Sequence, residues 1–165
     1  MTLDWHIALR DGALLALAAS VLVIGTLRAN PRLLLRHFPP ELRAAVPPLT
    51  SRERTIGKLI GLALIALLVA VPWISTAAVA FNAAGSIGFA DAFAHAFAVS
   101  MVFNLVDWLV LDEAWLGGLQ PVWAMLPGAE TVPFKFNHLQ HARGFVIGST
   151  LSGLIAGGVA WMVTR

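Results

Sequence analysis

The sequence predicts an all-α membrane protein built as a bundle of four transmembrane helices, and three observations support this prediction. Hydrophobic residues make up 58% of the 165 residues and charged residues only 12%, whereas a soluble domain of this size needs more charge to cover its surface. Four apolar runs are long enough to cross a hydrocarbon core of about 30 Å as helices. Basic residues concentrate in one connecting segment, which indicates a defined orientation in the membrane.

The four predicted transmembrane helices are each bounded by charged residues or by Pro and Gly. They cover approximately residues 7–27, 56–81, 90–111 and 144–163. The first run is longer than the apolar part of a typical secretory signal, and basic residues follow it instead of a small-residue cleavage site. We therefore expect a retained helix and a single membrane domain over residues 1–165.

The two long connections, approximately residues 28–55 and 112–143, are expected on the cytoplasmic side. The first is rich in arginine, which the positive-inside rule places in the cytoplasm, and the short turn between helices two and three has no basic residue. The protein is thus predicted to be multi-pass in a cytoplasmic (inner) membrane with both termini outside. The arginines of the first connection are Arg28, Arg32, Arg36, Arg43, Arg52 and Arg54.

Apolar residues alternate with these arginines in the first connection, among them Leu35, Leu42 and Val46. Short basic and apolar stretches of this kind can lie in the lipid headgroup layer. We expect a loop lying on the membrane surface. The alternative is a solvated linker that its prolines keep compact.

Composition also excludes several classes of function. The chain has no cysteine, which rules out disulfides, thiolate metal sites and redox chemistry through a cysteine pair. The formal net charge of only +2 gives no argument for a nucleic-acid partner. No hydrolase, zinc-protease, phosphate-binding or dinucleotide motif occurs. The expected surroundings are the lipid bilayer, and neither a cofactor nor an enzymatic activity follows from the sequence.

The third predicted helix is unusual because five polar residues interrupt its apolar run. At 100° per residue, Ser100, Asn104 and Asp107 gather on one face, while Asp91 and His95 lie one turn apart on another. The first group either hydrogen-bonds neighbouring helices and locks the bundle, or forms a ligand, proton or ion site. The second group is expected to be a polar pair facing outside.

A second polar group, His138 and His141, precedes the fourth helix with Arg143 close behind. The i,i+3 spacing puts both imidazoles on one face if that helix begins early. Three interpretations are open: a divalent metal site with a carboxylate such as Asp112 as third ligand, a proton or anionic-ligand site with Arg143, or an interfacial helix start without chemistry. Other carboxylates that could supply the third metal ligand are Asp107, Glu113 and Glu130.

Small residues follow one another at i,i+4 spacing along the fourth helix. Two G-x-x-x-G matches occur, Gly144 with Gly148 and Gly153 with Gly157. Small residues let helix backbones approach closely, so this helix should pack centrally in the bundle or form the contact of a homodimer. A complementary stripe in the first helix consists of Gly12, Ala16 and Ser20.

The segment from Asn104 through Asp107 to Asp112, followed by a Pro-rich stretch and by His138 and His141, resembles small uncharacterised bacterial membrane proteins with an N-x-x-D-x-x-x-x-D pattern. The resemblance spans most of the chain. It implies the same membrane topology and draws attention to Asn104, Asp107 and Asp112, but it implies no activity.

Two hypotheses for function follow from these residues. In the first, the chain is a small binding or accessory membrane protein with a polar centre at the cytoplasmic ends of helices three and four. In the second, it is a membrane enzyme or proton-coupled transporter that uses Asp107, His138 and His141, with or without a divalent metal. The candidate site residues common to this region are Asn104, Asp107, Asp112, His138, His141 and Arg143.

Overall fold

The computed structural model describes residues 5–83, 87–133 and 135–165, and every regular element in these ranges is a helix. Four helices are long and apolar enough to cross a membrane. The predicted all-α fold with four spans is therefore confirmed, and the chain is a multi-pass membrane protein. The helices are α1 (Trp5–Ala29), the short α2 (Pro40–Ala44), α3 (Ser51–Asn82), α4 (Phe89–Val106) and α5 (His138–Val163).

The third span does not end where the predicted helix ends. Directly after α4 the chain continues as a π-helix, Asp107–Leu119, and Gln120 with φ 44° then terminates it in the left-handed region. The fourth span begins at His138 instead of residue 144. The second connection predicted over 112–143 is therefore only 120–137, because the charged residues on both sides of it pair with each other inside the helices.

The second span also begins earlier than its apolar run. Thr50 accepts a hydrogen bond from the Glu53 backbone N–H, and the Glu53 side chain accepts one from the Thr50 N–H. This capping box satisfies backbone donors that the helix itself cannot pair. It extends α3 to Ser51, through a polar stretch that hydropathy alone assigns to the connection.

The third span lies at the centre of the bundle, since α4 packs against α1, α3 and α5. Its contact with α1 is close at Gly12, where an added Cβ would lie 2.9 Å from the Val99 carbonyl oxygen and 2.7 Å from the Val102 Cβ. The sequence predicts that the stripe with Gly12 faces the fourth span, α5, and this is wrong at Gly12. The small residue instead lets α1 approach the central helix.

The bundle has two distinct ends. We call the end with the connections 30–50 and 120–137 the loop end, and the end with the start of α1 and α4 the turn end. At the loop end, apolar residues of the two connections pack on one another, so that Leu35, Leu42 and Val46 are buried with Leu126 and Ala129. These leucines are covered by protein, which differs from the expected arrangement in the headgroup layer. We call this cluster the cap.

Hydrogen bonds from one arginine connect the cap with the start of α3. The Arg32 guanidinium donates to the Glu53 carboxylate at 2.7 Å and to the carbonyl oxygens of Pro47 and Pro48 at 3.1 and 3.3 Å. Both charged side chains are largely covered, at 17% and 16% exposure. This arginine is therefore a structural element of the cap as well as a contributor to the predicted orientation.

Candidate functional site

Two imidazole–carboxylate contacts join the third and fourth spans at the loop end. The Nδ1 atom of His141 lies 2.6 Å from an Asp112 carboxylate oxygen, and Nδ1 of His138 lies 2.6 Å from a Glu113 oxygen. A carboxylate only accepts hydrogen bonds, so each contact is a hydrogen bond when Nδ1 carries a proton. Both contacts leave the Nε2 edge of the ring directed away from its carboxylate.

The two pairs differ in exposure. Asp112 and His141 are 25% and 23% exposed, whereas His138 is 75% exposed against 26% for Glu113. The His141 pair is therefore the inner one and the His138 pair the outer one. We call Asp107, Asp112, Glu113, His138 and His141 together the polar centre.

The π-helical segment helps to gather the carboxylates of this polar centre. In a π-helix the backbone bonds connect residues five apart, as in the bond from the Gln120 N–H to the Trp115 carbonyl at 3.0 Å. Side chains five positions apart then lie closer to one face than they would in an α-helix. Asp107 accordingly lies within electrostatic range of Asp112 and His141.

An aromatic side chain that sequence reasoning did not select contacts both imidazoles. The Phe136 ring stacks on His141 with ring centres 4.2 Å apart and meets His138 edge-on at 4.9 Å. Gly117 makes room for it, because an added Cβ would lie 3.0 Å from the Phe136 ring. His37, from the first connection, lies within electrostatic range of Asp112. The position of His37 depends on a chain segment distant in sequence, whereas Phe136 lies only two and five residues before the histidines, a spacing that could have indicated the contact.

Asn104 belongs to helix packing and not to the polar centre. Its amide nitrogen donates to the Phe145 carbonyl at 3.1 Å and to the Ser149 hydroxyl at 3.0 Å, and both acceptors are in α5. Gly148 lies directly against the same amide, at a position where any side chain would overlap it. Of the two interpretations of this polar residue, the structure shows contacts of the bundle-locking kind.

The remaining candidate side chains lie apart. Arg143 is exposed, and in the described part of the chain no Arg or Lys forms an ion pair with a carboxylate of the polar centre. Glu130 folds back on its own loop and accepts a bond of 2.8 Å from the Gly128 N–H. That backbone hydrogen bond lowers the pKa of Glu130.

The described ranges contain no group of three His, Asp or Glu side chains placed to hold a metal ion. The suggested ligands His138, His141 and Asp112 are instead engaged as described above, with Asp112 on Nδ1 of His141. In metal sites such a carboxylate orients the histidine from behind and is not itself a ligand. The arrangement therefore offers carboxylates and imidazole edges, but no ready set of metal ligands.

The glycines of the fourth span fall into two groups. Gly148 is the only member of the two G-x-x-x-G matches that another helix approaches closely, through Asn104. At Gly144, Gly153 and Gly157 no atom lies within 4 Å of an added Cβ. Close packing within the bundle thus accounts for one of the four predicted packing glycines.

A second polar cluster, which sequence reasoning missed, lies inside the bundle toward the turn end. The Ser75 hydroxyl donates to the Asp11 carboxylate at 2.6 Å and lies 2.9 Å from Nε2 of His95. His95 is fully buried, so the expectation that it faces outside together with Asp91 is wrong. The three residues come from three different spans, and no spacing along the sequence could show that they meet.

No family model matches the chain, and neither the curated proteins nor the solved structures include one with significant similarity to it. The resemblance to membrane proteins with an N-x-x-D-x-x-x-x-D pattern thus stays a prediction. Function has to be argued from the site itself.

Proposed function

We propose that the chain is a small binding or accessory protein of the bacterial inner membrane, and that its polar centre holds a small cationic ligand at the cytoplasmic side. The observation that carries this proposal is the gathering of three carboxylates and two imidazoles between the third and fourth spans, without a basic side chain paired to them in the described residues. With neutral imidazoles such a group is strongly anionic.

The charge of the polar centre supports a cation as the ligand. Carboxylates near the edge of the hydrocarbon are costly unless a partner charge or water compensates them. The imidazoles can compensate part of this charge when they are protonated, and a bound cation can compensate it when they are neutral. Partial exposure of Asp112 and His141, at 25% and 23%, leaves a path from water to the inner pair.

The orientation and the partners belong to the same proposal. The arginines of the first connection favour the loop end in the cytoplasm and both termini outside. The bilayer surrounds the four spans, and a second copy of the chain is a suitable partner for the α5 face with Gly153 and Gly157, where added Cβ atoms would meet no neighbour. Nothing in the charge distribution favours nucleic acid.

Ligand-induced stabilisation tests the proposal. Purified protein in lipid nanodiscs would be heated with a panel of cations at pH 7: alkali, alkaline-earth and first-row metal ions, and simple primary and quaternary amines. A ligand present at 100 times its Kd should stabilise the folded state by about 2.7 kcal/mol. This gain should be lost in Asp112→Asn and His141→Ala, and it should remain in the control Glu41→Gln, which removes an exposed carboxylate of α2.

Two outcomes would contradict the proposal. One is a panel in which no cation raises the unfolding temperature of the native protein. The other is a stabilising cation whose effect is the same in Asp112→Asn as in the native protein, because the ligand would then bind elsewhere. The thermal stability of each variant is also measured without ligand. A variant that has lost only binding keeps its stability, whereas the hypothesis that these residues serve packing predicts a loss of stability.

A proton-coupled transporter is the second candidate, and the two imidazole–carboxylate contacts at 2.6 Å favour it. Ionisable side chains that contact each other within or beside membrane spans are the groups through which proton-coupled transporters pass protons. Proteoliposomes with an internal pH indicator would detect it. Substrate-dependent proton flux that disappears in Asp107→Asn would support the transporter, whereas an absence of flux across a broad substrate panel would refute it.

A further inference from the structure

The buried cluster of Asp11, Ser75 and His95 lies at one depth in the membrane. Each residue is six or seven residues, or roughly 9 to 10.5 Å at 1.5 Å per residue, from the end of its helix at the turn end. Exposure falls from 15% for the Asp11 side chain to 5% for Ser75 and 0% for His95. The cluster therefore leads from a partly accessible carboxylate to an imidazole enclosed by protein.

While Asp11 is ionised, the hydrogen bonds in this cluster run in one direction. A serine hydroxyl has one proton, and Ser75 donates it to Asp11 at 2.6 Å. At the contact of 2.9 Å with His95 the serine oxygen can then only accept, so Nε2 of His95 must carry a proton. The order of donation is from His95 to Ser75 to Asp11, and it crosses α4, α3 and α1.

The charged side chains next to the cluster on α1 and α4, Arg10 and Asp91, lie on its turn-end side. Arg10, next along α1 and 67% exposed, donates to the other Asp11 oxygen at 2.8 Å. Asp91 lies one turn before His95 on the same helix. From α3 the nearby polar groups are the hydroxyls of Ser75 and Thr76, and α5 packs on this part of α4 with the apolar residues Ala156, Val159 and Ala160.

We infer that Asp11, Ser75 and His95 form a proton relay that connects the interior of the bundle with water at the turn end. In one passage the His95 imidazolium gives its Nε2 proton to the Ser75 oxygen, while Ser75 gives its own proton to Asp11. His95 and Asp11 become neutral, and the serine hydroxyl is regenerated. Asp11 then releases the proton to water beside Arg10, and the reverse sequence recharges His95 from water.

This inference does not rest on the proposed function, because the relay and the polar centre lie at opposite ends of the bundle. A packing role alone would require only that the three side chains be hydrogen-bonded. A relay requires in addition that the Nε2 proton exchange with water although His95 is fully buried. Proton exchange therefore distinguishes the two roles.

The test is nuclear magnetic resonance of the full chain in lipid nanodiscs with ¹⁵N-labelled histidine. The His95 signal is identified as the one missing from His95→Gln. We expect Nε2 to carry a proton that exchanges with water, and we expect this exchange to be lost in Ser75→Ala. Ser75→Thr keeps the hydroxyl and should retain exchange.

Asp11→Asn provides a variant that separates the relay from folding. The amide oxygen can still accept from Ser75, so the bundle keeps its hydrogen bond, but an amide does not take up the proton, and exchange should be lost while thermal stability is retained. The inference is overturned if Nε2 of His95 carries no proton, if its proton does not exchange in the native protein, or if exchange continues unchanged in Asp11→Asn.

Discussion

Gly148 gives the sharpest test of how the third and fourth spans are held together. Its backbone lies against the Asn104 amide, and an added Cβ would overlap the amide oxygen and lie 3.0 Å from its Cγ. Asn104 is itself fixed by two hydrogen bonds to α5, so it cannot move aside without breaking them. Gly148→Ala therefore forces either a separation of the helices or the loss of both bonds.

The expected change in the free energy of unfolding for Gly148→Ala combines opposing contributions. Overpacking in a close-packed core costs about 1 to 3 kcal/mol, whereas alanine gains about 0.5 to 1 kcal/mol over glycine inside a helix. Interhelical hydrogen bonds in membranes contribute about 0.6 kcal/mol each. Gly148→Ala should thus lower the free energy of unfolding by about 1 to 2 kcal/mol. Gly153→Ala, where no atom lies within 4 Å of the new Cβ, should leave it unchanged or raise it slightly.

Reversible unfolding in mixed micelles, followed by circular dichroism, measures these differences. A double-mutant cycle adds the cause, because Asn104→Ala removes the side chain that the new methyl group would strike. In that background Gly148→Ala should become neutral or stabilising. Equal losses for Gly148→Ala and Gly153→Ala would refute the reasoning, and so would an undiminished loss in the Asn104→Ala background.

Three further predictions concern other parts of the molecule. Gly12→Ala should destabilise the protein by about 1 to 3 kcal/mol in the same unfolding assay, because the new methyl group meets a rigid backbone carbonyl of α4; wild-type stability would show that α1 can shift without cost. Arg32→Ala should increase proteolytic cleavage in the connection 30–50, since it removes bonds to a carboxylate and two carbonyls, whereas the exposed Arg36→Ala should not; equal cleavage in both variants would contradict a fastening role. The lowered pKa of Glu130 means that its bond to the Gly128 N–H should persist below the usual pKa of Glu and be lost as pH falls through the lowered value; amide exchange at Gly128 should show this step, and Glu130→Gln should abolish it.

The number of spans could be predicted from the sequence because it depends on a property that each segment has by itself. A run of about 20 apolar residues is favourable in hydrocarbon whatever its neighbours are. The ends of the spans were less predictable. Asp112 and His141 look like residues of an aqueous loop, yet their contact at 2.6 Å allows both to lie within helices. A hydropathy scale treats each charged residue without its partner, so the helices predicted from it are too short at these ends.

The candidate site was predicted in part, for a related reason. Sequence reasoning selected Asp107, Asp112, His138 and His141 because ionisable groups near a membrane span require a partner. It could not pair them, since pairing depends on the rotation and depth of two separate helices. Nor could it predict the π-helical winding after Val106, which alters which side chains share a face.

The buried cluster at the turn end shows the same limit most clearly. Asp11 and Ser75 have no distinguishing pattern in their apolar runs, and the sequence predicts the wrong surroundings for His95, because their meeting point depends on how three helices pack. The sequence by itself determined that four helices cross a membrane, since transfer into hydrocarbon is a local property of each segment. Only the tertiary structure decided which polar groups meet, since each contact requires side chains from different spans to reach the same depth and face.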